Sequence, residues 1–223
     1  MVDLKKKFRL GVAFVKRFAC DRKGVAAVEF AYIAPILLVM LMATFELSRA
    51  VSIDRRLNSV SAMASELVAR EEKVDDADLK NIYRSLNHVM KPYDDNSLVV
   101  RLFQVRTDTN GATKVEWSSE INSTAVQDAG GGSPLATPYA KCSAFAIDSE
   151  LKQKGSRVVV AEVGYNYHPI FGNFVLGDFS LEGLKKKRND IDGLAGSWSS
   201  KAYHSPRWNC VAYDSANCQT CPD

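Results

Sequence analysis

Gly24-Val-Ala-Ala-Val-Glu-Phe-Ala-Tyr-Ile-Ala-Pro-Ile-Leu-Leu-Val-Met-Leu-Met-Ala-Thr-Phe45 is the stretch that decides how this chain is read. Its one charged residue is Glu29. About 20 residues of helix cross a hydrocarbon core of about 30 Å, so the run is long enough to span a bilayer. Few helices of soluble proteins are apolar on all sides for this length, which disfavours a buried core helix. A secretory signal fits poorly as well, because no small-x-small cleavage site follows Phe45.

The charge distribution around the run gives an orientation. The 223 residues carry 29 Lys/Arg against 26 Asp/Glu, a formal charge of +3. Eight of the basic residues and two of the acidic ones precede Gly24, leaving 21 basic against 24 acidic in the remainder. A basic head before an apolar span places the amino terminus in the cytoplasm and the carboxyl-terminal part outside. Leu4, Phe8, Val12 and Val15 recur at helical spacing among the lysines of that head. This suits either a short amphipathic helix on anionic inner-membrane lipid or a plain topogenic tail. A net-acidic remainder would repel phosphate, so the chain is not a nucleic-acid-binding protein.

Glu29 is the anomaly of the span. A carboxylate near the centre of a bilayer costs about 2.5–3.5 kcal/mol, and such a residue calls for a partner. The positions three and four residues away are Val25, Ala26, Tyr32 and Ile33, and none is basic. The partner must then come from another chain or from a new charge on this one.

Arg22-Lys-Gly-Val-Ala-Ala-Val-Glu-Phe30, followed by Pro35 and by Phe45-Glu-Leu-Ser-Arg49, resembles the amino-terminal signature of TadE-like proteins. These are minor pseudopilins of the tight-adherence (Flp, type IVc) pilus. The resemblance implies a basic leader cut by a prepilin peptidase after Gly24, with Val25 as the new amino terminus. Glu29 is then the fifth mature residue, and Phe30 fills the aromatic slot after it. It also implies other pilins or pseudopilins and the pilus assembly platform as partners. Cleavage would create an α-ammonium at Val25, and a neighbouring subunit's amine would supply the partner that Glu29 lacks. The signature is shared with uncleaved TadG-like relatives, but the Asp-x-Ser-x-Ser motif of their frequent von Willebrand-type domain is missing here.

The helical pattern continues past the apolar run. Ala50, Ile53, Leu57, Val60, Ala64 and Leu67 alternate by three and four residues, and neither Gly nor Pro intervenes between Pro35 and Arg70. The pattern predicts one helix over 25–70 whose outer part packs on the protein's own domain, on other subunits, or on both. A second helix is predicted over Asp76–Met90, capped by Asp75 or Asp76, with Leu79, Ile82, Leu86 and Val89 on one face. The remaining predicted elements are a strand over 98–106, an Asn110-Gly111 turn and a return strand over 114–118. After them come a long surface loop over 119–139, a short helix near 140–153 and the strongest strand over 157–169. Phe179–Leu184 suits an edge strand closed by the basic run Lys185–Arg188.

The predicted class is α+β: a long amino-terminal membrane and stalk helix, a small antiparallel sheet, and a disulfide-stapled carboxyl-terminal tail. The expected organisation is a leader over 1–24, a membrane helix over 25–47 and helices over 48–91. The sheet domain follows over 92–188, and a Cys-containing tail over 189–223 ends the chain. Cys20 would leave with the leader, whereas Cys142, Cys210, Cys218 and Cys221 would lie in an oxidising compartment. Four cysteines allow three pairings. Three of them crowd the tail, so complete pairing requires Cys142 to tie the sheet domain to it.

Two other arrangements match the spacing of these sulfurs. Cys218-x-x-Cys221 has the spacing of a thiol oxidoreductase, but it should open a helix after a strand. A zinc site of Cys210, Cys218, Cys221 and His204 is a further arrangement. His88, His168 and His204 stand apart, and no phosphate-binding Gly loop or hydrolase motif is present. The expectation is a non-enzymatic, single-pass inner-membrane protein with no cofactor or metal. The alternatives are an uncleaved anchored scaffold of the same machine and a membrane-tethered thiol oxidoreductase.

Overall fold

The computed structural model describes residues 24–93, 97–127, 134–167, 170, 198–215, 217, 218, 220 and 221. The head before Gly24 with Cys20, His168, and the stretch holding Phe179–Leu184 and Lys185–Arg188 lie outside the described residues. The chain divides into two compact units, residues 1–46 and 47–223.

Helix α1 runs Val25–Arg70 as a single element with Pro35 inside it. In the first unit its apolar side chains are exposed, with Phe30, Tyr32 and Leu41 among the most open. An 18-residue window there has a mean hydropathy of 2.2 and no buried residue, so the helix is long and apolar enough to cross a membrane.

In the second unit α1 changes character. Ala50, Ile53, Leu57, Val60 and Ala64 are buried, but the stripe then continues through Val68 while Leu67 stays 37% exposed. A strict 3.5-residue repeat drifts around a straight helix of 3.6 residues per turn, and the buried face follows the helix. Ser61 and Ser65 enter the core for the same reason. Each turns its hydroxyl back onto a carbonyl of its own helix, Asn58 and Ala62 respectively.

Strand β1 (Lys73–Val74) leads into helix α2 (Asp76–Met90). Asp75 caps α2: its carboxylate accepts from the Asp78 N–H while the Asp78 carboxylate accepts from the Asp75 N–H. The Asp78 N–H holds the Asp75 carboxyl below its usual range. The buried face of α2 is Leu79, Tyr83, Leu86 and Met90. The sequence pattern had Ile82 and Val89 on that face, but they are only partly buried. Tyr83 moves inward because its phenol donates to the Leu98 carbonyl at 3.0 Å, which makes its burial affordable.

Four strands form an antiparallel sheet: β2 (Leu98–Thr107), β3 (Thr113–Asn122), β4 (Arg157–Tyr165) and β5 (Trp198–His204), in the order β3-β2-β4-β5. Asp108–Ala112 connect β2 to β3, and the Asp108 carboxylate accepts from the backbone of Asn110 and Ala112. Gly111 there has φ of +88°, the left-handed region in which a side chain is strained.

A bulge after Val115 sets Gln104 opposite Trp117 but Val105 opposite Val115, so Glu116 is the extra residue. One consequence is that Val115 and Trp117, two residues apart, serve different cores. Trp117 and Ile121 join the core made with the two helices, Leu102 and Val163, while Val115 joins the core of Phe103, Val105 and Val160.

Helices thus cover one face of the sheet, and the segment carrying Tyr139, Phe145, Ile147 and Leu151 covers the other. This corrects two expectations. The return strand reaches Asn122 and is followed by helix α3 (Ser123–Gln127), so a surface loop does not begin at residue 119. Within 140–153 the only helical piece is a 3-10 turn at Ser149–Leu151. The apolar residues there serve as lids on the sheet: the Tyr139 and Phe145 rings lie 4.8 Å from that of Phe103. The segment also closes the β3 edge through bridges of Ala144 to Lys114 and Ala136 to Glu120.

The tail is more than a staple, since it supplies edge strand β5. Strand β6 (Ala212–Tyr213) runs parallel to β1, and the Tyr213 phenol donates to the Asp76 carboxylate at the start of α2. Burial and that carboxylate push the phenol above its ordinary range. Trp117 stacks on Tyr213 at 5.2 Å and donates its indole N–H to the Val211 carbonyl at 2.9 Å.

Candidate assembly site

The residues singled out in the sequence fall into two groups. Gly24, Val25, Glu29 and Phe30 occupy the first turns of the first unit, and all four are exposed. A Cβ built on Gly24 meets nothing within 4 Å, and its φ is not in the left-handed region, so the fold itself does not require glycine there. Glu29 stands in the apolar run with its carboxylate uncovered by this chain.

The cysteines form the second group. Cys142 bonds to Cys221 and Cys210 bonds to Cys218, with Cα–Cα distances of 5.4 and 5.9 Å. The Cys218-x-x-Cys221 motif is therefore split between two disulfides and is not a redox pair. The same bonding removes the zinc arrangement with His204, and no other group of three or more metal-ligating residues occurs among the described residues.

A third group escaped the sequence reading. Register pairs Glu120 with Arg101, Arg101 with Glu162, and Glu162 with Lys201, so alternating charges run in one row across all four strands. Arg101 Nε lies 2.6 Å from Glu120 and Lys201 Nζ lies 2.8 Å from Glu162. Glu162 is fully buried, and its other oxygen accepts from the Tyr139 phenol at 2.7 Å. Burial and that carboxylate push the Tyr139 phenol above its ordinary range. On the opposite face the bulge residue Glu116, also fully buried, accepts from Arg157 Nε and from Gln104 Nε2 at 2.9 and 2.6 Å. A charged residue in a strand usually marks a solvated face, so the sequence offered no cue that these lie under a lid.

These inner networks pair their charges within the chain. Most of the exposed large apolar side chains among the described residues lie on the amino-terminal part of α1, and the comparison with known families falls on the same helix. No curated protein and no solved structure matches the chain. Helix α1 is long and apolar enough to cross a membrane, and residues 24–66, from the glycine through the buried stripe, match the family model described as TadE-like protein.

Proposed function

We propose that the chain is a minor pseudopilin that serves assembly of a tight-adherence type pilus and has no catalytic role of its own. It is held in the inner membrane by α1 with its larger unit in the periplasm. The observation that carries this is Glu29, an exposed carboxylate in an apolar helix within a TadE-like segment. Prepilin peptidase cuts after Gly24. The lack of any fold requirement for glycine at that position supports a demand made by another molecule. The Val25 ammonium so created pairs with Glu29 of an adjacent subunit at one axial register, which rewards correct docking more than bulk stability.

Three variants test this in cells carrying the peptidase and the pilus machinery. Gly24→Asp should leave a full-length, still inserted precursor, since insertion follows hydropathy. Glu29→Gln should insert and be cut nearly normally yet fail to support piliation. Glu29→Leu should insert at least as well as the wild type, with the same loss of pili. Amino-terminal sequencing that begins at Met1 in the wild type refutes processing and favours an uncleaved scaffold. Normal piliation with Glu29→Leu refutes the docking role.

A further inference from the structure

The chain leaves the apolar run at Phe45–Leu47, and the first cation after it is Arg49. Its guanidinium carbon lies 5.7 Å from the centre of the Tyr93 ring and 5.9 Å from that of Tyr167. Tyr167 in turn lies 5.5 Å from Trp198. Rings at this spacing attract a cation and hold its plane, but they accept no conventional hydrogen bond. Arg49 Nη1 is buried and has no hydrogen-bond partner among the described residues. Arg56, the next arginine on this side, differs: its Nη1 donates to the Val89 and Lys91 carbonyls at the end of α2, at 2.6 and 2.9 Å. Arg56 therefore closes a helix end and faces Tyr93 at 5.5 Å, while Arg49 is gripped by aromatics and its Nη1 has no acceptor among the described residues.

We propose that Arg49, gripped by Tyr93 and Tyr167, binds a phospholipid headgroup phosphate where α1 leaves the bilayer. Chain connectivity alone puts Arg49 within a helical turn of the apolar run. Tyrosine and tryptophan collect at that level of a bilayer because their rings are apolar and their polar tips remain wet. A guanidinium matches a phosphodiester through a planar pair of N–H donors. The inference rests on α1 spanning the bilayer and not on pilus assembly.

The test uses the full chain in three nanodisc preparations, made of phosphatidylglycerol, phosphatidylcholine, or phosphate-free digalactosyl diacylglycerol. Hydrogen exchange is followed at the Tyr93 and Asn166 amides, which bond to the Met90 and Ser97 carbonyls beside the cluster. Both phosphate-bearing bilayers should slow these amides at least about threefold relative to the galactolipid. R49Q should abolish that difference while carbonate extraction still shows insertion. Equal rates in all three bilayers for the wild-type protein would overturn the proposal and turn this corner toward a protein partner or water. A lipid difference that survives R49Q would overturn it equally. Failure of extraction to show insertion would refute the spanning helix itself, a result distinct from either.

Discussion

Removing the Cys142–Cys221 bond should destabilise the protein far more than removing Cys210–Cys218, although both disulfides tie down the same tail. The two bonds close very different loops, with sequence separations of 79 and 8 residues. Loop-closure entropy of the unfolded chain then gives about 4.5 kcal/mol for the first and about 2.5 kcal/mol for the second. Each pair contains one buried sulfur, Cys221 and Cys210 respectively, so the small cavities left by alanine largely cancel in the comparison. Cys142→Ala/Cys221→Ala should therefore cost about 2 kcal/mol more than Cys210→Ala/Cys218→Ala. With a urea m-value of about 1–3 kcal/mol/M, the unfolding midpoints should separate by about 1 M. The assay is urea unfolding of the full chain in a fixed detergent, followed by tryptophan fluorescence. Trp117 reports directly, because it stacks on Tyr213 and bonds to Val211 within the tethered tail. Equal midpoints, or a lower midpoint for the Cys210/Cys218 variant, would refute the entropic reasoning and mean that local packing of the tail dominates.

Three smaller predictions concern the polar groups. Tyr139→Phe should cost about 1.5–3 kcal/mol at neutral pH, since it removes a hydrogen bond to a charged carboxylate. The raised phenol keeps its proton in the folded state, so its stabilising share is complete below about pH 10 and is lost as pH rises further. The alkaline loss of stability, read by urea midpoints from pH 9 to 11.5, should be shallower in Tyr139→Phe; Tyr203 and Tyr213, also raised, leave a residual slope. Asp75→Ala should cost about 1 kcal/mol at pH 7 through loss of the α2 cap. Because the Asp75 carboxyl is lowered from 3.8, that difference is present above this value and should vanish as pH falls below it, as thermal midpoints of the pair would show. Arg157→Met should cost about 3–5 kcal/mol, because Glu116 stays buried with only Gln104 beside it; a loss under 1 kcal/mol by urea unfolding would refute this.

The long-period features were legible in the sequence, and the short irregular ones were not. The apolar run and the three-four spacing beyond it gave α1 its observed bounds, and Asp75, one of the two expected caps, marked the start of α2. Strands β2 and β4 are Val-rich, largely apolar runs buried on both faces, a composition that survives without tertiary information, although β4 ends at Tyr165, short of the expected Pro169. Strand β3 was read four residues short because its bulge breaks the alternation: after Glu116 the inward positions change parity, and Ser118, Ser119 and Glu120 look like the start of a loop. The short helix expected near 140–153 does not form, because Phe145, Ile147 and Leu151 are placed by the sheet face they cover. Strand β5, Trp-Ser-Ser-Lys-Ala-Tyr-His, is polar enough to pass for tail. Its helix-side residue Ser200 is held by hydroxyl and amide groups of Ser61 and Asn58, a contact across about 140 positions with no local trace.

The buried charge row gives a physical reason for the register of this sheet. A hairpin turn sets β3 against β2, but β5 follows β4 after 32 intervening residues, and no tight turn can align them. Hydrophobic alternation forbids a slip by one residue, because that exchanges the two faces; it does not forbid a slip by two. A two-residue slip of β5 would set Ser199 or Tyr203 opposite Glu162 in place of Lys201. The same slip of β2 would set Val99 or Phe103 there in place of Arg101. Either leaves a fully buried carboxylate short of a counter-ion, at a cost of about 3–5 kcal/mol. The native row adds little over an apolar replacement of similar shape, since desolvation offsets most of the Coulombic gain. Its effect lies in the gap between the correct pairing and the nearest wrong ones. That is how a distant, polar strand finds one position on β4, and why a lysine in an apparently solvated tail has a partner inside the sheet.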